Sequence, residues 1–252
     1  MDILKIKIFY DNSSFQKEII SAWGFSAFVS YGGRNILFDT GGKADLLLSN
    51  MKAMKSDPKE VTDVFISHNH WDHIGGLFGF LSKNHKVKVY LPSACSKTYA
   101  NEVEACGAKC FRIKAFTKIA KNIYSSGELG EEIKEECLIV DTPKGLIVLT
   151  GCAHPGIISM LDSVIKKINK KIFAVFGGFH LAKKSSIEIS EIISKFKKMG
   201  IVCVGACHCT GKTAIKQFKK EYGCSFVFLG AGSILKQANL SWFYWTTEIP
   251  RA

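Results

Sequence analysis

"SHNHWDHIGGL", residues 67–77, sets three histidines and an aspartate within six positions and follows them with two glycines. The whole chain has seven histidines in 252 residues, so the concentration needs a cause. Imidazole and carboxylate groups are costly to bury without partners, and a cluster this dense predicts a shared partner, a metal ion. The apolar run "VTDVFIS" (61–67) just before it reads as a strand. His68 and His70 then leave the strand two positions apart, with Asp72 and His73 on the next turn, a spacing that suits two neighbouring cations.

The same pattern recurs along the chain. Apolar strands ending in small residues lead into histidine at "IVLTGCAH", "FAVFGGFH" and "VCVGACH", so every histidine except His85 follows a strand end. In open α/β sheets, polar groups that meet ligands collect just beyond the carboxyl ends of strands, and four such ends could converge on one site. Residues 3–9, 25–31 and 34–39 read as strands with a tight "YGGR" turn, which predicts a β-meander. A helix over 43–55 stops before Pro58. "IGGLFGFLS" reads as helical, "KVKVYLP" as a strand, and residues from 93 onward as a helix and then a strand. "CLIVDTPKGLIVLTG" reads as a hairpin turning at "TPKG". The remainder alternates: helices over 157–168, 185–199 and 212–221, strands over 171–177, 201–206 and 225–229. This alternation predicts layered α/β architecture in one domain spanning residues 1–252.

The composition, 47% apolar, supports a substantial core. "MDILKIKIFYDN" carries charge at positions 2, 5 and 7 and lacks the apolar core of a secretory leader, and no stretch approaches the roughly 18 apolar residues that span a bilayer. Nine scattered cysteines fit reduced thiols. The expectation is a cytoplasmic protein with no membrane partner. A net charge of +12 is compatible with nucleic acid or an anionic substrate. Only Arg34, Arg112 and Arg251 offer the planar fork that suits phosphate and base contacts, however, and the remaining cations are lysines. A lysine-rich solvated surface is the expected reading, with nucleic acid disfavoured as a partner.

"HNHWDH" resembles the H-x-H-x-D-H motif of the metallo-β-lactamase superfamily, and "DHIGGL" continues as many members do. The resemblance implies a four-layered αββα sandwich and a dinuclear metal site. "ILFDTG" (36–41) resembles the early strand-end Asp-x-Gly of that superfamily, which makes Asp39 a support of the site. By resemblance His68 and His70 hold one metal with a third histidine, and Asp72 and His73 hold the second with His208. Many members have a further histidine before the central hairpin, but this chain has none between residues 86 and 153, so either His154 is the third histidine or Cys152, standing where many members place a bridging aspartate, is itself a ligand. His154 is the expected choice. "TGCAHPGI", "GGFHL" and "CHCTG" together resemble a branch labelled as related to a dihydropterin ribofuranosyl-aminobenzene phosphate synthase. In that setting His180 serves beside the metals as substrate hydrogen-bond donor, general acid or further ligand.

The cofactors implied are two divalent transition-metal ions, zinc first, with iron or manganese fitting the same donors. Such an ion lowers the pKa of bound water to about 7, so Asp72 and His180 are the expected catalytic groups of a hydrolase acting on an ester-like bond, a phosphodiester, lactone or related small molecule. Trp71, Phe179, Lys183 and Lys184 are candidate substrate contacts, the lysines for a phosphate or carboxylate. "WFYW" (242–245) reads as a docking tail. Cys203, Cys207 and Cys209 read as buried apolar cysteine, although a C-x-C pair beside His208 also suits a soft metal. An iron-dependent redox enzyme and a nucleic-acid phosphodiesterase are the alternatives. No G-x-S-x-G elbow competes as a nucleophile.

Overall fold

The computed structural model describes residues 3–236, which divide into two compact units. One comprises residues 3–113 together with 230–236, and the other is Lys114–Leu229.

The first unit is built on a seven-stranded sheet. The expected meander is present: β1 (Lys5–Tyr10), β2 (Ser26–Tyr31) and β3 (Arg34–Phe38) pair antiparallel. The β2–β3 hairpin turns on Gly32 and Gly33, both with positive φ, the left-handed pair that a two-residue turn requires. From β3 onward the connections carry helices and the pairing becomes parallel. Helix α1 (Ala44–Ala53) leads to β4 (Asp63–Phe65), α2 (Trp71–Ile74) and α3 (Leu77–Leu81) lead to β5 (Lys88–Pro92), and α4 (Lys97–Ala105) leads to β6 (Lys109–Ile113). Leu37, Val64 and Val89 from the strands pack with Leu47, Met51, Phe80 and Val103 from the helices in one buried core. A further strand, Ile234–Lys236, the last among the described residues, pairs antiparallel with β1.

The second unit carries a six-stranded sheet. Strands β7 (Thr117–Ala120), β8 (Ile123–Ser125), β9 (Leu138–Thr142) and β10 (Gly145–Thr150) run antiparallel. Helix α5 (Ile157–Ile168) then crosses to β11 (Ile172–Gly178), and α6 (Ser186–Lys198) crosses to β12 (Cys203–Cys207), so that β10, β11 and β12 are parallel neighbours. Helix α7 (Lys212–Tyr222) follows. Val148, Val175 and Val204 pack with Met160, Leu161 and Ile193, and Phe196 and Phe218 meet edge to face at 5.2 Å. Ser185 opens α6 with a capping box closed by Glu188.

Two expectations need correction, and one hairpin was not anticipated. The strand expected over 225–229 is a single parallel bridge from Phe226 to Val204, because Ser225 ends a one-turn helix and the chain then leaves towards the last strand. The strand expected over 61–67 is shorter, Asp63–Phe65, with backbone bonds from Thr62 N to the Asn35 carbonyl and from Ile66 N to the Tyr90 carbonyl extending the pairing by one residue on each side. The β7–β8 hairpin was not expected: "TKIA" and "IYS" are too short and too mixed in polarity to announce themselves. The "WFYW" stretch lies outside the described residues. Among the described residues no helix is long and apolar enough to cross a membrane. Phe218→Ala, which empties the centre of the second core, is expected to cost about 3–5 kcal/mol, read as a lowered urea midpoint with unchanged slope.

Candidate metal centre

In the first unit the parallel pairing of β3 with β4 sets their carboxyl ends side by side, Phe38 opposite Phe65. Asp39 is therefore the first residue past one strand and Ser67 and His68 lie just past the other. Asp39 is fully buried and adopts φ 54°, the left-handed region that aspartate enters more readily than most residues. Its carboxylate accepts from Ser67 N (2.7 Å), from Ser67 Oγ (2.7 Å) and from His73 Nδ1 (2.7 Å). Ser67 Oγ in turn lies 2.9 Å from His68 Nδ1. Burial pushes the Asp39 carboxyl above its ordinary range, while His73 and Ser67 pull in the opposite direction.

One carboxylate thus fixes two imidazoles. The proton of His73 is drawn to Nδ1, and that of His68 to Nδ1 through the serine hydroxyl, which leaves Nε2 of each ring as the lone-pair nitrogen. His68 Nε2 faces His70 Nδ1 at 3.1 Å, and His73 Nε2 faces Asp72 Oδ2 at 3.6 Å. These are two pairs of donors of the type that zinc, iron and manganese accept, held by an outer layer that sets their tautomers. The donor set fits a divalent cation.

The turn that carries these groups is clamped from below. Thr40 donates from N (2.7 Å) and from Oγ1 (2.9 Å) to the carbonyl of His73, and Phe25 N donates to the carbonyl of Asp72 (3.2 Å). A Cβ at Gly76 would stand 2.2 Å from the Thr40 carbonyl oxygen, so the second glycine of the motif lets the ligand turn sit directly on the "DTGG" loop. Trp71 is 62% exposed, with its ring edge over Gly42, so it lies on the surface beside His70 and not beneath the loop.

The second unit presents its own cluster at the ends of β10, β11 and β12. Glu135, fully buried, accepts from Cys152 N, Ala153 N and His154 N, each at 2.8 Å. The loop after β10 is therefore wrapped around a carboxylate. The His154 ring stands 4.4 Å from that of His180. Cys152 and Cys209 are buried, His180 is exposed, and one donor atom from each lies within 4.8 Å of the others. Burial raises the Cys209 thiol, but bonds with Cys152 and His180 outweigh it and bring the thiol down to about 6, while the contact with Cys209 raises His180. His208 is buried at φ 46°, and Thr210 beside it accepts from Phe179 N (3.0 Å) and donates to the carbonyl of Cys207 (2.7 Å), fastening the loops after β11 and β12 together.

A cavity of about 390 Å³ in this unit is bordered by His154, Pro155, His180 and Lys184. Phe179 forms its wall from the core side, with its ring against Phe196 and Phe218 at 5.6 and 5.5 Å. Lys184 is ion-paired with Glu188 at 2.8 Å, and this pair, with the Ser185 bonds, lowers Glu188 to about 2. Lys183 is exposed. Two residues that position the candidate ligands, Ser67 and Glu135, were not identified from sequence. Ser67 stood inside the motif, but its role depends on Asp39 being adjacent. Glu135 lies in the charged run "GEEIKEEC", where nothing distinguishes the buried Glu135 and Glu136 from the exposed Glu131 and Glu132.

The sequence profile of the metallo-beta-lactamase superfamily matches residues 24–104. The chain is 32% identical over 251 residues to a Methanocaldococcus jannaschii protein named 7,8-dihydropterin-6-methyl-4-(beta-D-ribofuranosyl)-aminobenzene-5'-phosphate synthase, covering 81% of this chain and 84% of that one. The crystal structure of a metal-dependent hydrolase of the beta-lactamase superfamily superposes with a TM-score of 0.79 at 31% identity, covering 92% of this chain and 98% of the other. The metallo-beta-lactamase fold protein YhfI of Bacillus subtilis gives a TM-score of 0.71 at 14% identity over 94% and 100% of the two chains, a likeness of fold alone. The chain belongs to the metallo-β-lactamase superfamily and has its α/β fold. Its resemblance to the branch labelled for the dihydropterin synthase is likewise established by the first of these relatives.

Glu135→Gln keeps the shape but turns an amide towards backbone N–H groups. Charged hydrogen bonds contribute about 1.5–3 kcal/mol each, so a loss of at least about 2 kcal/mol is expected in urea unfolding, with faster amide exchange at residues 152–154.

Proposed function

We propose that the protein is a metal-dependent hydrolase that cleaves an ester-like bond, a phosphodiester, lactone or related linkage, in a small and anionic molecule. The observation that carries this reading is the Asp39–Ser67–His68 and Asp39–His73 network, which aims Nε2 of two histidines at neighbouring donors. Such an arrangement prepares ligands and has no evident use in packing. In this reading the chain acts as one metallo-β-lactamase-like domain over residues 1–252. His68, His70 and His154 hold one zinc ion and Asp72, His73 and His208 the other, following the superfamily pattern, with Cys152 beside them.

A divalent ion bound there supplies Lewis acidity and makes hydroxide available near pH 7. Asp72 also orients and receives the proton of the attacking group, and His180, exposed at the edge of the cavity, donates to the departing oxygen. Trp71 offers a flat exposed face beside His70, and Lys183 with Lys184 favours an anionic substituent. The name of the M. jannaschii relative includes a ribofuranosyl 5'-phosphate, which supports a phosphate-bearing small molecule as the substrate class.

The test is metal analysis together with hydrolysis of generic phosphodiester and lactone substrates. The double variant His68→Ala, His70→Ala is expected to lose bound zinc and fall to background turnover, and unchanged turnover overturns the proposal. Asp39→Asn removes the acceptor that orients both histidines and is expected to weaken metal retention by about 10–100-fold in chelator competition. Tightly held iron with oxygen consumption in anaerobically prepared protein would favour redox chemistry instead.

A further inference from the structure

We propose that a lysine-rimmed cleft in the first unit, at the edge of its sheet opposite the candidate metal centre, binds a small soluble phosphate monoester that carries an apolar group. The cleft has a volume of about 570 Å³, a size suited to one small molecule. Leu48 and Pro58 give it an apolar lining, and Lys52, Lys55, Lys59 and Lys83 border it. None of these four ammonium groups has a hydrogen bond or ion pair among the described residues, whereas Lys170, Lys184 and Lys197 are each paired with a carboxylate.

The course of the chain keeps the two places apart. The histidine–aspartate turn stands past the carboxyl ends of β3 and β4, while the cleft is bordered by residues that lead into the amino ends of β4 and β5: Pro58 and Lys59 before Asp63, and Lys83 before Lys88. Helix α1 runs between them. It starts at Ala44, next to the "DTGG" loop, and its last turn and the residues after it bring Lys52, Lys55 and Ser56 to the cleft. Its ten residues span about 15 Å.

The negative end of the α1 dipole accounts for Lys52 and Lys55, but Lys59 and Lys83 arrive from other segments. Lys55 takes φ 50° just after the helix, the left-handed position that glycine fills with least strain. The acids on the border are Asp57 and Glu60, and both are engaged. Asp57 accepts from the Lys59 amide (2.9 Å), and Glu60 acts on buried Lys7, opposing the lowering of that ammonium by burial. Lys7, only 7% exposed, donates to Ser56 Oγ (2.5 Å) and to the Met54 carbonyl (3.2 Å). It sets a fifth cation behind the cleft and leaves the Ser56 hydroxyl proton with only the Met54 carbonyl at 3.4 Å, longer than an ordinary O–H···O bond. Lysine ammonium is a compact point charge that suits phosphate oxygens, and Leu48 and Pro58 favour an apolar group attached to them. No aromatic side chain borders the cleft to stack bases, which disfavours a nucleic-acid strand. This assignment does not rest on the hydrolase reading.

The test is titration of the chelator-stripped, nitrogen-labelled full-length protein with phenyl phosphate, followed by amide chemical shifts. Saturable shifts are expected among residues 48–60 and at Lys83, with higher affinity than for inorganic phosphate. Lys52→Gln combined with Lys59→Gln is expected to weaken binding by about tenfold. Lys166→Gln combined with Lys167→Gln, which removes the same charge from the last turn of α5, is expected to leave it unchanged. Binding is also expected to persist in the His68→Ala, His70→Ala variant. Absence of saturable shifts among residues 48–60 overturns the proposal, as does equal affinity for inorganic phosphate or an equal loss in the α5 control. Loss of binding in the double histidine variant overturns it by assigning the ligand to the metal centre. Saturation by an RNA oligonucleotide without any response to phenyl phosphate overturns it in favour of nucleic acid.

Discussion

The first unit's chemistry depends on one buried carboxylate. Asp39 has no solvent to stabilise its charge, so it is satisfied by the Ser67 amide and hydroxyl and by the His73 imidazole. Those bonds are reciprocal constraints. They pin the end of β4 to the end of β3, and they dictate which ring nitrogen of His68 and His73 keeps its lone pair. A neutral side chain at this position would leave the histidines free to choose tautomer and rotamer, and the geometry of four donors would be lost with one hydrogen-bond acceptor.

The second unit uses the same device in another form. Glu135 has no candidate ligand role, yet three successive amides converge on it, and the direction of the loop bearing Cys152 and His154 follows. Strain is distributed in the same way. Of the non-glycine residues with left-handed φ, Asp39, Ala153, His180 and His208 all lie just past strand ends at the two clusters. Such conformations persist only where surrounding bonds over-determine them, and here the carboxylates, Thr40 and Thr210 supply those bonds.

How much of this could be read from sequence follows from distance along the chain. The ligand turn at 68–73 was legible because four donors and the glycines that seat them are contiguous, and Asp39 because it directly follows an apolar strand in "ILFDTG". The helices α5 and α6 declared themselves through three- and four-residue apolar spacing. Glu135 was not legible, because its place is decided by the loop at 152–154, which donates three amides to it, and not by its neighbours in the chain. The expected burial of Cys203, Cys207 and Cys209 is found, but the Cys152–Cys209 proximity was hidden for a related reason: only the β10–β11–β12 order brings those loops together. The stretch after residue 225 misled through its apolar content, since Phe226 and Leu229 are buried without joining a ladder beyond a single bridge.

The first unit is discontinuous in the chain, because residues 230–236 return to it after the whole of Lys114–Leu229. Among the described residues, strand β1 receives its outer neighbour from Ile234–Lys236. On the ribosome, β1 can pair with β2 within seconds of emerging, but its other edge stays bare until about two hundred further residues have been made, ten seconds or more at roughly 5–20 residues per second. An open edge of that kind is a template for pairing with another nascent chain. Yield in the cell should therefore respond to translation speed and chaperone supply more sharply than the stability of the finished protein suggests.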